Sequence, residues 1–304
     1  MIEHSFLHKR AHGLEWLAGP QLAALPWLVH GFSTRRGGFS RAPAAGLNLG
    51  HSEEPSQSIL SNRRAFFKAL GAEQFALGSI HQIHSAEIFE VKKMPEMQFL
   101  PAGYPAPDTG RHGRVCGDAM VAHDAGILLG IRTADCLPIL LADPCLRVVA
   151  AIHAGWRGAL KRITEKTVGE MRRIYGSDPR RLIAALGPSI RSCCYEVGDE
   201  VVDAFAGQFV RSANYFRKVS ASVGAEMKPA FLSVDPPGHA RATGSGFSLD
   251  LAAVTLDQLL SAGVAASRIQ TAGFCTSCRT DLFFSYRREG DRTGRMMAVI
   301  GIRK

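Results

Sequence analysis

Cys136, His153 and His84 are the residues of this chain whose types and settings could do chemistry. Cys136 follows the polar turn Thr133-Ala134-Asp135 and precedes the apolar run Leu137 to Leu141. His153 closes a second run, Val148 to Ile152, and leads into Ala154-Gly155-Trp156-Arg157-Gly158. With Ile127 to Ile131, these runs read as three strands buried on both faces. A thiol and an imidazole then sit at the rim of one sheet, as a Cys–His nucleophile pair or two thirds of a metal site. His84, in HQIHSAEIFEV (81–91), adds a second imidazole from a stretch that also reads as strand. Two His, one Cys and an open fourth position compose a catalytic zinc site, where the metal lowers the pKa of its water. Without metal, His153 or His84 can deprotonate Cys136 for attack on a carbonyl. The residues alone leave both readings open.

Other motifs point less sharply. Ser33-Thr-Arg-Arg-Gly-Gly-Phe-Ser40 joins backbone donors to two cations, Arg35 and Arg36, and suits an anion or an ordinary glycine turn. FSYRREG (284–290), followed by Arg292 and Arg295, concentrates guanidinium forks that suit phosphate or carboxylate. Arg35 and Arg287 are the candidates for holding phosphate. CTSC (275–278) could be half of a zinc site or a redox pair. No second half lies nearby in sequence and no thioredoxin-like context surrounds it, so it reads as structural thiols. A base-deaminase signature fails, because His84 is followed by Glu87 and CTSC lacks a preceding Pro. A trinuclear copper cluster fails too: 11 histidines are scattered, and the closest-spaced pair is His81 and His84. One Cys and two His could still make a single copper site.

The elements that must position these groups read as follows. Strands are expected at Val29 to Thr34, Ser79 to Val91, Leu182 to Leu186, Arg268 to Phe274 and Met296 to Ile302, beside the central three. Helices are expected at Ser61 to Leu70, Ala159 to Tyr175, Gly198 to Val210 and Asp250 to Ala262. Residues 1–27 read as an irregular or strand-like lead-in, and Met94 to Gly113 as a long surface loop. Arg211 to Gly246 is polar and Gly-rich, which predicts a mobile insertion. Strands and helices mix without strict alternation, favouring a layered α/β or α+β domain with mixed sheets.

The formal charge of +9 agrees with an anionic substrate but does not select one, and the cations lack the runs and aromatic interleaving of a nucleic-acid binder. The opening MIEHSFLHKRAHGLEW has no apolar core and no membrane-length apolar run follows, so the expected location is cytoplasmic, without nucleic acid or membrane as partner. Seven cysteines in such a chain read as free thiols or ligands. No surplus apolar helix stripe is visible, so a monomer is expected.

Seven motifs in order, GFSTRRGGFS, HQIHS, GDAMVAHDAG, TADCLPILLAD, AAIHAGWRG, GPSIRSCCYEVG and FFSYRREGDRTGRM, together resemble the laccase-domain family, from about Val29 to Ile302. That family is variously named polyphenol oxidase, purine nucleoside phosphorylase and peptidoglycan editing factor. The resemblance implies one α/β/β/α sandwich domain over 1–304, similar to the catalytic domain of cytotoxic necrotizing factor toxins. It implies that His84, Cys136 and His153 are the metal-binding and catalytic trio, and it does not carry over His81. It implies zinc-dependent purine nucleoside chemistry: phosphorolysis of adenosine, inosine, guanosine or methylthioadenosine, and deamination of adenosine. The small-molecule partners would be a nucleoside with phosphate. The alternatives are a Cys–His amidase that removes wrongly inserted Ser from a muramyl nucleotide precursor, and copper-dependent phenol oxidation. Cys278 and the length of the 211–246 stretch depart from the family pattern.

Overall fold

The computed structural model describes residues 6–50, 57–94, 96–102, 115–219 and 246–304. In chain order, β1 (Leu7–Ala11), β2 (Leu14–Ala18), α1 (Pro20–Ala23) and β3 (Leu28–Ser33) come first. Next are α2 (Gln57–Ala69), β4 (Ala76–Gly78), β5 (Ile88–Met94), β6 (Glu96–Ala102) and β7 (Ala119–Ala122). The centre is β8 (Ile127–Thr133), β9 (Leu137–Asp143), β10 (Val148–Ala154), α3 (Trp156–Leu160) and α4 (Ile163–Tyr175). Then follow β11 (Ile183–Leu186), β12 (Glu196–Val197), α5 (Asp199–Gln208) and β13 (Phe216–Val219). Last come β14 (Gly246–Leu249), α6 (Leu251–Ser261), β15 (Ile269–Thr271), α7 (Tyr286–Glu289) and β16 (Met296–Ile302).

Two mixed sheets stack face to face between helices. One has the order β1-β2-β3-β16-β8-β4, the other β15-β11-β9-β10-β7-β5-β6. The side-chain period of two decides what each strand touches. In β16, Met296, Ala298, Ile300 and Ile302 face the core between the sheets, while Met297 and Val299 face Phe66 and Leu70 of the α2 layer. In β9, Leu140 and Ala142 join the inter-sheet core. Leu137, Ile139 and Leu141 instead pack on α4, α5 and α6 through residues such as Met171, Phe205 and Leu259. Both faces are therefore covered, which is why these strands read as unbroken apolar runs. The layering is α/β/β/α, as the resemblance implies. β16 lies between β3 and β8, and Met297 N–H donates to Ser33 Oγ across 264 positions.

Several expectations need correction. The lead-in is a regular hairpin, β1 with β2, whose inner strand is wholly buried. The expected strand Ser79 to Val91 begins only at Ile88, and His84 has a left-handed backbone (φ 58°). The expected loop after Met94 contains β6, paired antiparallel with β5. Its Pro101 is tolerated because β6 is the sheet edge. The rest of that expected loop, 103–113, lies outside the described residues. The expected helix Ala159 to Tyr175 is two helices, broken where Arg162 adopts φ 60°. Arg268 to Phe274 narrows to Ile269–Thr271. The flanks of the expected 211–246 insertion are ordered, since β13 pairs with β14 in a small third sheet with β12. Residues 220–245 lie outside the described residues. No helix among the described residues is long and apolar enough to cross a membrane.

Candidate active site

His84, Cys136 and His153 meet at the ends of β8, β9 and β10. Their ligand atoms all lie within 4.8 Å of one another, so the three could hold a metal ion. His84 Nε2 is 3.7 Å from Cys136 Sγ, and the two imidazole rings stand edge to face, 4.9 Å between centroids. His153 is buried at the end of β10, whereas His84 is exposed on a turn.

The residue that composes this arrangement, Asp118, escaped the sequence reading. It is fully buried just before β7. His153 Nδ1–H donates to its Oδ1 at 2.7 Å, which turns the other ring nitrogen toward Cys136. The backbone N–H groups of Ile83, His84 and Ser85 and the Ser85 hydroxyl also donate to this carboxylate, the last two at 2.6 and 2.7 Å. Three consecutive amides converging on one carboxylate bend the chain out of strand geometry, which explains the left-handed His84. A carboxylate holding the far nitrogen of a ligand imidazole is the usual outer support of a metal site. The sequence signal was there: Asp118 is the lone acid in GDAMVA, immediately ahead of an apolar strand.

Asp135 performs the matching task for Cys136. It sits at φ 90° and accepts hydrogen bonds from Thr276 Oγ1 (2.6 Å), Ser285 Oγ (3.1 Å) and Arg287 N (2.7 Å). Burial, only partly offset by these donors, raises its pKa. Gly155 completes the floor. A Cβ there would stand 2.8 Å from His84 Cδ2 and 3.0 Å from Cys136 Sγ, closer than real contacts allow.

The charges are coupled. Burial alone pushes the Cys136 thiol up, but the charge on His153 and hydrogen bonds from His153 and His84 outweigh it and bring Cys136 down to about 6. Burial likewise opposes the charge on His153, yet the Cys136 thiolate and the Asp118 carboxylate raise it to about 10. Asp118 is held below its ordinary value, as its bonds to His153 and Ser85 overcome burial.

The trio lies in a cavity of about 280 Å³. Trp156, Ile190, Tyr195, Leu251 and Tyr286 give it flat or apolar walls, and Arg132, Arg157, Arg287 and Arg295 give it positive ones. The Arg132 and Arg287 guanidiniums donate to the carbonyls of Ile80 and Glu196, and Arg295 to those of Thr293 and Gly294. Carbonyl partners fix direction without cancelling charge. Burial first, then the charges of Arg63 and Arg295, bring Arg132 down to about 10. Trp156 Nε1 is buried in this wall without a hydrogen-bond partner.

Arg287 is thus brought to the cavity and Arg35 is not. Arg35 donates to Glu289 (2.8 Å) and to the Thr280 carbonyl (2.9 Å), and stacks over Phe284 at 4.4 Å. Its loop is a packing device: Phe39 N–H donates to Asn62 Oδ1 and Ser40 N–H to Gly46 O. Gly38, at φ 83°, passes so near Leu47 that a Cβ would lie 2.6 Å from its Cα. Arg132 and Arg295 are the cavity cations that sequence reasoning passed over, one inside a strand and the other a single position before β16.

Comparison with known proteins agrees with this geometry. The profile of a family described as "Multi-copper polyphenol oxidoreductase laccase" matches residues 29–303. A purine nucleoside phosphorylase of Deinococcus radiodurans is 36% identical over 292 residues, covering 96% of this chain and 94% of the relative. A protein named adenosine deaminase RL5, from an unknown prokaryotic organism, is 34% identical over 274 residues, covering 90% and 93%. The crystal structure of YlmD from Geobacillus stearothermophilus superposes with a TM-score of 0.75 at 30% identity, covering 98% of this chain and all of that one.

Proposed function

From the premise that this chain belongs to the multi-copper polyphenol oxidoreductase laccase family, we propose that it is a zinc-dependent enzyme of purine nucleosides. It would cleave adenosine, inosine, guanosine or methylthioadenosine with phosphate, and deaminate adenosine. One observation carries the reading: a Cys and two His gather within 4.8 Å of one another on the floor of a cavity walled by aromatic rings and arginines. The names of relatives, purine nucleoside phosphorylase and adenosine deaminase, support it.

The donor set fits zinc. One thiolate, one imidazole oriented by Asp118 and a second imidazole leave a position open toward the cavity. Zinc held by His84, Cys136 and His153 would supply Lewis-acid activation of water near neutral pH. The remaining work falls to the chain's own groups. Asp118 keeps the proton of His153 on Nδ1, so the other nitrogen presents its lone pair. Tyr195, Tyr286 and Trp156 offer surfaces for a purine, and the unpartnered Trp156 N–H offers it a donor. Arg287, with Arg132 and Arg295, would hold phosphate in the direction fixed by carbonyls. The test is metal content by mass spectrometry on wild type and Cys136→Ala, with adenosine and phosphate offered to both. Zinc and both activities should vanish together in the variant; full activity in Cys136→Ala would sink the reading.

A second reading rests on the same charges. Cys136, His153 and Asp118 form a nucleophile, base and orienting carboxylate in sequence, with the thiol brought down to about 6. That arrangement suits amide hydrolysis on an anionic muramyl nucleotide precursor. Amidase activity that survives exhaustive metal removal, with a covalent adduct at Cys136, would select it.

A further inference from the structure

Four more thiols converge on the far side of the Cys136 turn, outside the cavity lining. Cys193 and Cys194 follow β11, and Cys275 and Cys278 follow β15. β11 and β15 pair in parallel, and a further parallel bridge joins Ser189 to Cys275. Thr276 N–H donates to Ser189 O at 3.0 Å, so the sheet register itself brings the two Cys pairs together. Cys278 Sγ is 3.5 Å from Cys193 Sγ and 3.4 Å from Cys194 Sγ, although Cys193 and Cys278 are 85 positions apart. All four sulfurs lie within 4.8 Å of one another. Here is the second half that CTSC lacks in its own neighbourhood of the sequence.

The spacing discriminates between uses. A disulfide needs its sulfurs at about 2.05 Å, and all four thiols are free. A polynuclear iron–sulfur cluster puts its own irons and sulfides between the thiolates and needs a wider ring. A single tetrahedral ion with metal–sulfur bonds of about 2.3 Å sets its sulfurs about 3.8 Å apart, close to what is observed.

We propose that Cys193, Cys194, Cys275 and Cys278 bind one tetrahedral ion, zinc by its ligand chemistry, as a closed structural site. Four protein sulfurs leave no open position, which separates it from the cavity site. The ion would displace the thiol protons and tie two loops together. Those loops hold the catalytic turn. Thr276, inside CTSC, donates to Asp135 at 2.6 Å; Ile190 N–H donates to Asp135 O at 2.8 Å; Tyr195, next to Cys194, forms a cavity wall. The second site is therefore a clamp behind Cys136.

The test uses the full chain, purified under reducing conditions without chelator. Metal is counted by mass spectrometry in wild type, Cys136→Ala, and the double variant Cys193→Ser/Cys278→Ser, which changes the two exposed thiols. The double variant should lose one equivalent of zinc that Cys136→Ala keeps. Cobalt titrated into metal-free Cys136→Ala should give the intense visible bands and thiolate charge transfer of a tetrahedral tetrathiolate site. If the double variant does not fold, that spectrum decides alone. Unchanged zinc in the double variant, absence of the cobalt bands, or a disulfide between Cys193 and Cys278 in freshly isolated protein would each overturn the proposal. Failure of the cavity reading would appear only as an unchanged count in Cys136→Ala, so the two outcomes are distinguishable.

Discussion

The floor of the cavity mixes one sulfur with two imidazoles, whereas the cluster behind it presents four sulfurs and nothing else. The first is braced by a fully buried carboxylate that reaches His153 and three successive amides. The second is braced by sheet register alone, through β11 and β15. One faces a cavity with an open position; the other has two of its thiols at the surface and no cavity before it. The contrast teaches that coordination in this fold divides by task. Mixed donors with polar support serve reactivity, and uniform donors on paired backbone serve rigidity.

That division can be broken by substitution. The largest effect should come from Cys136→Ala, which removes a donor of the open site. Loss of metal activation is worth several kcal/mol, so turnover of adenosine should fall on the order of a thousandfold. Steady-state assays with product chromatography would measure it. A comparable loss from Cys193→Ser would erase the contrast.

Asp118→Ala should follow. It strips His153 of its acceptor and leaves three amides unmet in the interior, so metal affinity should drop about 10- to 100-fold. Stability should fall by about 3 kcal/mol. Competition with a chromophoric chelator and a denaturant titration would read the two losses. Gly155→Ala tests the floor. Its Cβ would press on His84 and Cys136, costing about 1–3 kcal/mol of packing and loosening the metal while the four-sulfur cluster keeps its own.

The pH dependence sharpens the comparison without mutation. In metal-free protein Cys136 is a thiolate above about 6 and a thiol below it. Alkylation at this residue, followed by mass spectrometry, should therefore slow as pH falls through 6. Burial raises Cys193 far above an ordinary thiol, with Cys275 and Cys278 adding to the effect, so its alkylation should need alkaline conditions. Equal profiles for the two would contradict the charge coupling. The smallest effect separates two arginines. Arg35→Ala should cost about 1 kcal/mol through its Glu289 ion pair and Phe284 stack, with little change in the KM for phosphate. Arg287→Ala should instead raise that KM.

What the sequence made legible follows from the same physics. The strands carrying Cys136 and His153 stood out because both their faces are buried, and the trio stood out because those strands end together. His84 was placed in a strand because its flanking residues alternate. The carboxylate that bends it away, Asp118, lies 34 positions downstream of the His84 amide it accepts from, beyond any local pattern. The break at Arg162 has no glycine or proline to announce it. Arg35 looked like a ligand for anions because its partner Glu289 is 254 positions away. CTSC looked incomplete for a similar reason. Local periodicity reports burial well, while polar partnerships made by the closed fold are silent until it closes.

The position of β16 has a consequence for how the molecule comes into being. Its strand fills the gap between β3 and β8, near the middle of a sheet rather than at its margin. During synthesis, residues 28–133 would emerge with that gap open and two strand edges unpaired. Neither edge can be satisfied until residues 296–302 leave the ribosome. So distant a pairing makes for slow folding and a long interval in which unpaired edges invite association with other chains. This is a protein whose nascent form should call on chaperones more than its finished stability would suggest, and ribosome-stalled chains ending before Met296 should remain protease-sensitive across both sheets.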